Sequence, residues 1–257
     1  MKTNIYQMRA TIIIMISLFI SLGAVNAQEM TAREIIQKAT DKLNGKSSKG
    51  TMKMTVVRPS WSREVVMKSW SMGDDYYLIL ITEPVKDKGQ TFLKRNTDMW
   101  NWMPSINRMI KIPPSMMSQS WMGSDFTNDD LVKMNSYVTD YTHEIIGSEK
   151  FQDYDCYILQ LVPKPDVAVV WGKILVWITK DEYYQLKAEF YDEDEELVNR
   201  QVSSEIKQFN DRKLPAKMVM TPADEPGNQT IIEVIDNEFN IDIKESFFSQ
   251  QNMKTIR

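Results

Sequence analysis

The segment Thr51-Met52-Lys53-Met54-Thr55-Val56-Val57-Arg58 alternates apolar and polar side chains. Met52, Met54 and Val56 fall on one face of an extended chain, and Thr51, Lys53 and Thr55 fall on the other. That period of two marks a half-buried β-strand and not a helix. The same rhythm recurs downstream over residues 64–72, 76–82, 90–95, 99–103 and 108–112. Gly73-Asp74 separates the first two of these as a hairpin, and turns fall at Asn96-Thr97-Asp98 and Pro104-Ser105-Ile106-Asn107. It resumes over 141–146, 156–162, 173–179, 185–191, 197–209, 216–221 and 229–235. Strands at this spacing, with turn signals between and no helices alternating with them, predict an antiparallel all-β sandwich or barrel.

Upstream of the first strand the period changes. Thr31 and Glu34 form a capping box, and Ile35, Ile36, Ala39 and Leu43 make one apolar face, so residues 31–43 are predicted as an amphipathic helix ended by Asn44-Gly45. Further upstream, Lys2 and Arg9 precede an apolar run over 12–20, and Val25-Asn26-Ala27 is a small-residue cleavage pattern. Residues 1–27 therefore read as a secretory signal peptide cleaved after Ala27, with residues 28–257 forming a single domain that starts at Gln28. An uncleaved membrane anchor is the rival reading of that segment.

The 257-residue chain carries a net charge of −4, and loss of Lys2 and Arg9 makes it more acidic still. No basic stripe offsets this, which argues against a nucleic-acid partner. The lone cysteine, Cys156, has no partner for an internal disulfide and sits among apolar neighbours, so it reads as buried. Catalytic signals are weak. His143 lies on a strand with no nucleophile motif beside it. Asp192-Glu193-Asp194-Glu195-Glu196 reads as a solvated hairpin tip, and Asp125, Asp129 and Asp130 suit the first turn of a short helix from 128 or 129 to 134. Met52 with Met54, and Met116 with Met117, lack the histidine or cysteine that a thioether copper site would add. Neither an enzyme, a metal nor a cofactor is expected.

Residues 113–128 break the strand rhythm. With the strands just before them they concentrate Trp100, Trp102, Met103, Met116, Met117, Trp121, Met122 and Phe126. Prolines and polar interruptions imply a surface loop, and a large apolar patch on a loop marks a ligand or partner site. Strands 173–179 and 229–235 are apolar on both faces. Either other sheet or helix covers the second face, or an apolar concave surface lies beneath a lid built from the 31–43 helix and the 113–128 loop.

Trp100-Asn101-Trp102-Met103-Pro104, Arg108-Met109-Ile110, and Trp121-Met122-Gly123-Ser124-Asp125-Phe126 followed by Asp129-Asp130-Leu131 resemble the outer-membrane lipoprotein-sorting, or LolA-like, family. The resemblance implies a half-open antiparallel β-barrel with helices over its concave face. It also implies a periplasmic, monomeric carrier that shields lipid or lipoprotein acyl chains and exchanges them with membrane-protein donors or acceptors. The cavity and lid are then expected from Trp100, Trp102, Met103, Met116, Met117, Trp121, Met122 and Phe126, with Arg108 and Asp125 as polar partners fixing the loop. The family's lid-holding arginine matches Arg63 or Arg58. About sixteen methylenes at roughly 0.8 kcal/mol each make acyl-chain burial worth on the order of 13 kcal/mol before ordering costs. An envelope sensor, or an accessory subunit of a lipid-export pump acting by protein–protein contact, is the alternative.

Overall fold

A computed structural model describes residues 30–133, 136–165 and 167–257; the expected signal segment lies outside these. Residues Thr31–Arg257 form one compact unit. The helix α1 (Ala32–Asn44) is capped by Thr31, whose Oγ1 accepts from the Glu34 amide while the Glu34 carboxylate accepts from the Thr31 amide. Then come β1 (Ser47–Arg58), β2 (Trp61–Met72), β3 (Tyr76–Glu83), β4 (Thr91–Arg95), β5 (Asp98–Met103) and β6 (Arg108–Lys111). A long loop carries single 3-10 turns at Pro114–Met116 and Trp121–Gly123 and ends in α2 (Asn128–Lys133). A short α3 (Tyr137–Asp140) leads into β7 (Tyr141–Phe151), β8 (Tyr154–Pro163), β9 (Lys173–Thr179), β10 (Gln185–Tyr191), β11 (Leu197–Phe209), β12 (Arg212–Pro222) and β13 (Gln229–Phe239). The chain finishes with α4 (Gln250–Thr255).

The 13 strands form one sheet in the order β6-β5-β4-β3-β2-β1-β13-β12-β11-β10-β9-β8-β7. All neighbours are antiparallel. The first strand pairs with the last, joining two meanders through Met54 opposite Ile232 and Met52 opposite Val234. The sheet ends at β6 and β7, so it is an open, half-barrel sheet and does not close. Among the described residues no helix is long and apolar enough to cross a membrane.

Following the register across the sheet defines its inner face. It runs from Phe92 through Ile79, Met67 and Val65 to Met54, Ile232, Met218, Gln201 and Ala188, and ends at Val176 and Leu159. The 113–133 loop packs on the β1–β5 half of this face. The other half meets α1, which contacts β7, β9 and β12. Ala32, Ile35, Ile36 and Ala39 are the buried stripe of α1, and Ile35 and Ile36 alone contribute roughly 1.5–3 kcal/mol each. The covered inner face explains why β9 and β13 are apolar at Ile174, Val176, Ile232 and Val234 as well as on their other side.

The outer face of the β2–β5 half has its own cover, which the sequence did not disclose. Leu78, Leu93 and Trp102 are buried there against Phe248 and Met253, with Trp70, Trp100, Met109 and Phe247 packed around them. Arg95 donates to the Phe248 oxygen, and Thr91 Oγ1 donates to the Met253 oxygen, fastening the C-terminal segment. Cys156 is buried, as its neighbours implied.

Candidate functional site: a lidded apolar cavity

Two adjoining compartments of about 150 and 180 Å³ lie between the inner face and its covers. Both are lined by Leu43, Asn44, Phe126, Met218, Ile232 and Val234, so they are halves of one cavity. Ile79 and Met218 line the larger half, although they sit four strand spacings apart, about 19 Å in a flat sheet. The sheet must therefore curl around the space. Leu43, at the end of α1, is 43% exposed yet lines both halves, which places the mouth beside it.

The lid is the 113–133 loop. Trp121 is buried on the inner face, edge-on to Phe92 with ring centroids 5.3 Å apart. Met116, Met117, Met122 and Leu131 pack around the same cluster. Met122 (φ 50°) and Gly123 (φ 70°) are both left-handed, reversing the chain so that their carbonyls point back to the sheet. Arg63 donates to the Met122 oxygen, and Arg58 donates to the Gly123 oxygen at 2.9 Å. Arg58 also grips both Asp125 carboxylate oxygens, at 2.9 and 3.3 Å. Thr230 Oγ1 on β13 donates to Asp125 Oδ2 at 2.7 Å and accepts from the Asp125 amide at 2.9 Å. Asn199 on β11 donates to the Asp125 oxygen at 3.4 Å. One short segment is thus pinned to β1, β2, β11 and β13. Both candidate arginines hold it, and Arg58, not Arg63, makes the ion pair.

The end of the lid is tied separately. Thr127 and Asp130 exchange hydrogen bonds at the start of α2, and Trp171 Nε1 donates to Asp130 Oδ1 at 2.8 Å. Burial pushes the Asp130 carboxyl above its ordinary value against these bonds. His143 is committed to the Tyr137 carbonyl, and burial lowers its pKa. Among the described residues no group of three His, Cys, Asp or Glu side chains is arranged to hold a metal.

The structure puts Trp121 and Phe126 of the sequence-based set on the cavity wall, packs Met116, Met117 and Met122 around Trp121 in the lid, and uses Arg63 and Asp125 to pin that lid. It separates four others from the cavity. Trp100 and Trp102 face outward beneath the C-terminal segment, because β5 turns even-numbered side chains away from the lid. Met103 shares the inward parity of Met99 but ends its strand and lines neither compartment. Arg108 is exposed on the edge strand β6. The walls contributed by Met52, Met67, Met218, Ile232 and Val234, and the Thr230 pin, were missed as site residues. Their inward alternation was a usable signal for the walls; nothing local marked Thr230.

The larger compartment is graded. One end is apolar, with Met52, Met67, Ile79, Trp121, Phe126 and Met218; the other carries Ser48, Ser71, Asp74, Lys94, Asp236 and Asn237. Trp121 Nε1 is buried with no hydrogen-bond partner among the described residues.

A family model described only as an uncharacterized protein family matches residues 73–255, and the chain belongs to that family. No curated protein matches. Among solved structures, a candidate outer membrane lipoprotein-sorting protein domain from Vibrio parahaemolyticus is 26% identical, covering 87% of this chain and 98% of its own, with a TM-score of 0.77. A DUF1329 family protein from Desulfovibrio piger (23% identity, 87% and 99% coverage, TM-score 0.78) and a LolA superfamily protein from Nitrosomonas europaea (24%, 87% and 99%, 0.75) share the fold. The LolA-like resemblance read from the sequence is borne out, and with it the half-open sheet.

Proposed function

We propose that this protein is a periplasmic carrier that binds lipid, or the acyl chains of lipoproteins, noncovalently beneath its lid. The observation that carries the reading is the pair of adjoining apolar compartments between a curled sheet and a pinned, methionine-rich loop. Each compartment is smaller than the roughly 300–1,000 Å³ of a drug-sized site, so a full acyl chain is admitted by displacing wall and lid side chains. Methionines at positions 52, 67, 116, 117, 122 and 218 suit that, since unbranched thioether chains repack at little cost. The 26% identity to a candidate lipoprotein-sorting domain supports the same reading. Export with cleavage after Ala27 fits a carrier, since release from the membrane lets it diffuse as a monomer between donor and acceptor. Native mass spectrometry of protein recovered from its own envelope should show bound lipid and an N-terminus at Gln28, and a fluorescent acyl probe should bind the emptied protein. An empty cavity that also rejects acyl probes would end this reading and favour a sensor or pump subunit.

A further inference from the structure

Lys94 is an unusual group to find in an apolar cavity. It lies two residues from Phe92 on the inner face of β4, about 7 Å along the strand, and the Phe92 ring meets Trp121 edge-on. Its Nζ donates to the Asp74 backbone oxygen, and among the described residues it touches no carboxylate. Among the described residues, two of its three N–H groups thus have no protein acceptor. Burial pulls its pKa down, while Asp74, Asp75 and Asp140 sit near enough to oppose that. Asp74 and Asp236 line the same end of the compartment, and both are exposed. A half-buried cation flanked by exposed acids disfavours a ligand head of purely negative charge, and it also disfavours a neutral one. It complements a head with an anionic group inside and a cationic group outside. Deeper in, Trp121 and Phe126 line the path that the tail must take.

We propose that the cavity selects a zwitterionic amphiphile of the phospholipid class, with its phosphate on Lys94, its amine on Asp74 and Asp236, and its acyl chains running past Trp121 toward Phe126 and Met218. This rests on the carrier reading and names the ligand for it.

The test is displacement of a fluorescent acyl probe from the purified protein by diacyl lipids with phosphoethanolamine, phosphoglycerol or no head group (diacylglycerol). The wild type should prefer the phosphoethanolamine lipid to the phosphoglycerol lipid by about threefold, the worth of an exposed ion pair. Lys94→Met should weaken both phospholipids about tenfold relative to diacylglycerol, the worth of a charge-assisted hydrogen bond, and Lys94→Arg should restore them. Asp74→Asn should erase the preference between the two head groups. Equal phospholipid-to-diacylglycerol ratios in wild type and Lys94→Met, or a wild type indifferent to head group, would overturn the proposal and leave the carrier reading standing. A wild type that binds no acyl probe would overturn both.

Discussion

Asp125→Ala isolates the clamp that closes the lid. The Asp125 side chain is 5% exposed and that of Arg58 is 15% exposed, so the pair is largely out of water. Truncation removes the acceptor for both guanidinium nitrogens and for the Thr230 hydroxyl. Removing one partner of a buried pair costs about 3–5 kcal/mol, because the other charge is left uncompensated. Arg58 keeps the Val57 and Gly123 oxygens, which places this case at the lower end, about 3 kcal/mol. The lid lifts without unpairing any strand ladder, so the loss falls on lid closure more than on the sheet. That is roughly a hundredfold in the open-to-closed equilibrium. Amide hydrogen exchange reads it directly: residues 113–133 should exchange about a hundredfold faster in the variant, while β8 and β9 keep their protection. Unchanged lid protection, or a loss shared equally by β8 and β9, would show that Asp125 does not act as a lid clamp.

The remaining predictions address the other face, the C-terminal segment and pH. Trp102→Ala should destabilise the fold by about 3 kcal/mol in urea titrations yet leave acyl-probe affinity unchanged; loss of probe binding in a folded variant would return Trp102 to the cavity. Phe248→Ala removes a fully buried ring in contact with Tyr76 and should cost about 3–5 kcal/mol, with amides of α4 losing protection first; a stable variant with α4 still protected would mean that other contacts hold the segment. Burial holds the Asp130 carboxyl above its ordinary 3.8, so the native state binds this proton more tightly than the unfolded chain. Its favourable contribution is therefore full below 3.8 and is lost as pH rises through the raised folded value. Asp130→Asn keeps an acceptor for Trp171 and should gain stability relative to wild type as pH climbs through that window, then run parallel above it; a difference independent of pH in urea titrations would refute this.

Much of the architecture was legible in the chain. Alternation located the strands, and the observed ladders mostly extend those segments, as β1 does back to Ser47 and β7 forward to Phe151. Extension occurs where pairing with a neighbour stabilises residues such as Gly50 or Gly147, whose own pattern is indifferent. The capping box marked the start of α1, and the break at Pro113 marked the lid. The short α3 and α4 were not foreseen, since four and six residues hold too few turns to show a helical period.

The sequence by itself determined which side chains share a face and where the rhythm stops, because both follow from backbone geometry over a few residues. It put Met52, Met54 and Val56 together and set residues 113–128 apart. Which face the loop covers was decided only by the tertiary structure. Alternation is blind to the choice, so Trp100 and Trp102 looked like lid residues until β1 paired with β13 and curled the inner face away from them. The same closure carries Asp125 to Arg58, 67 residues away, and to Thr230, 105 residues away. A clamp between positions so distant leaves no local pattern, and it exists only once the two meanders have met.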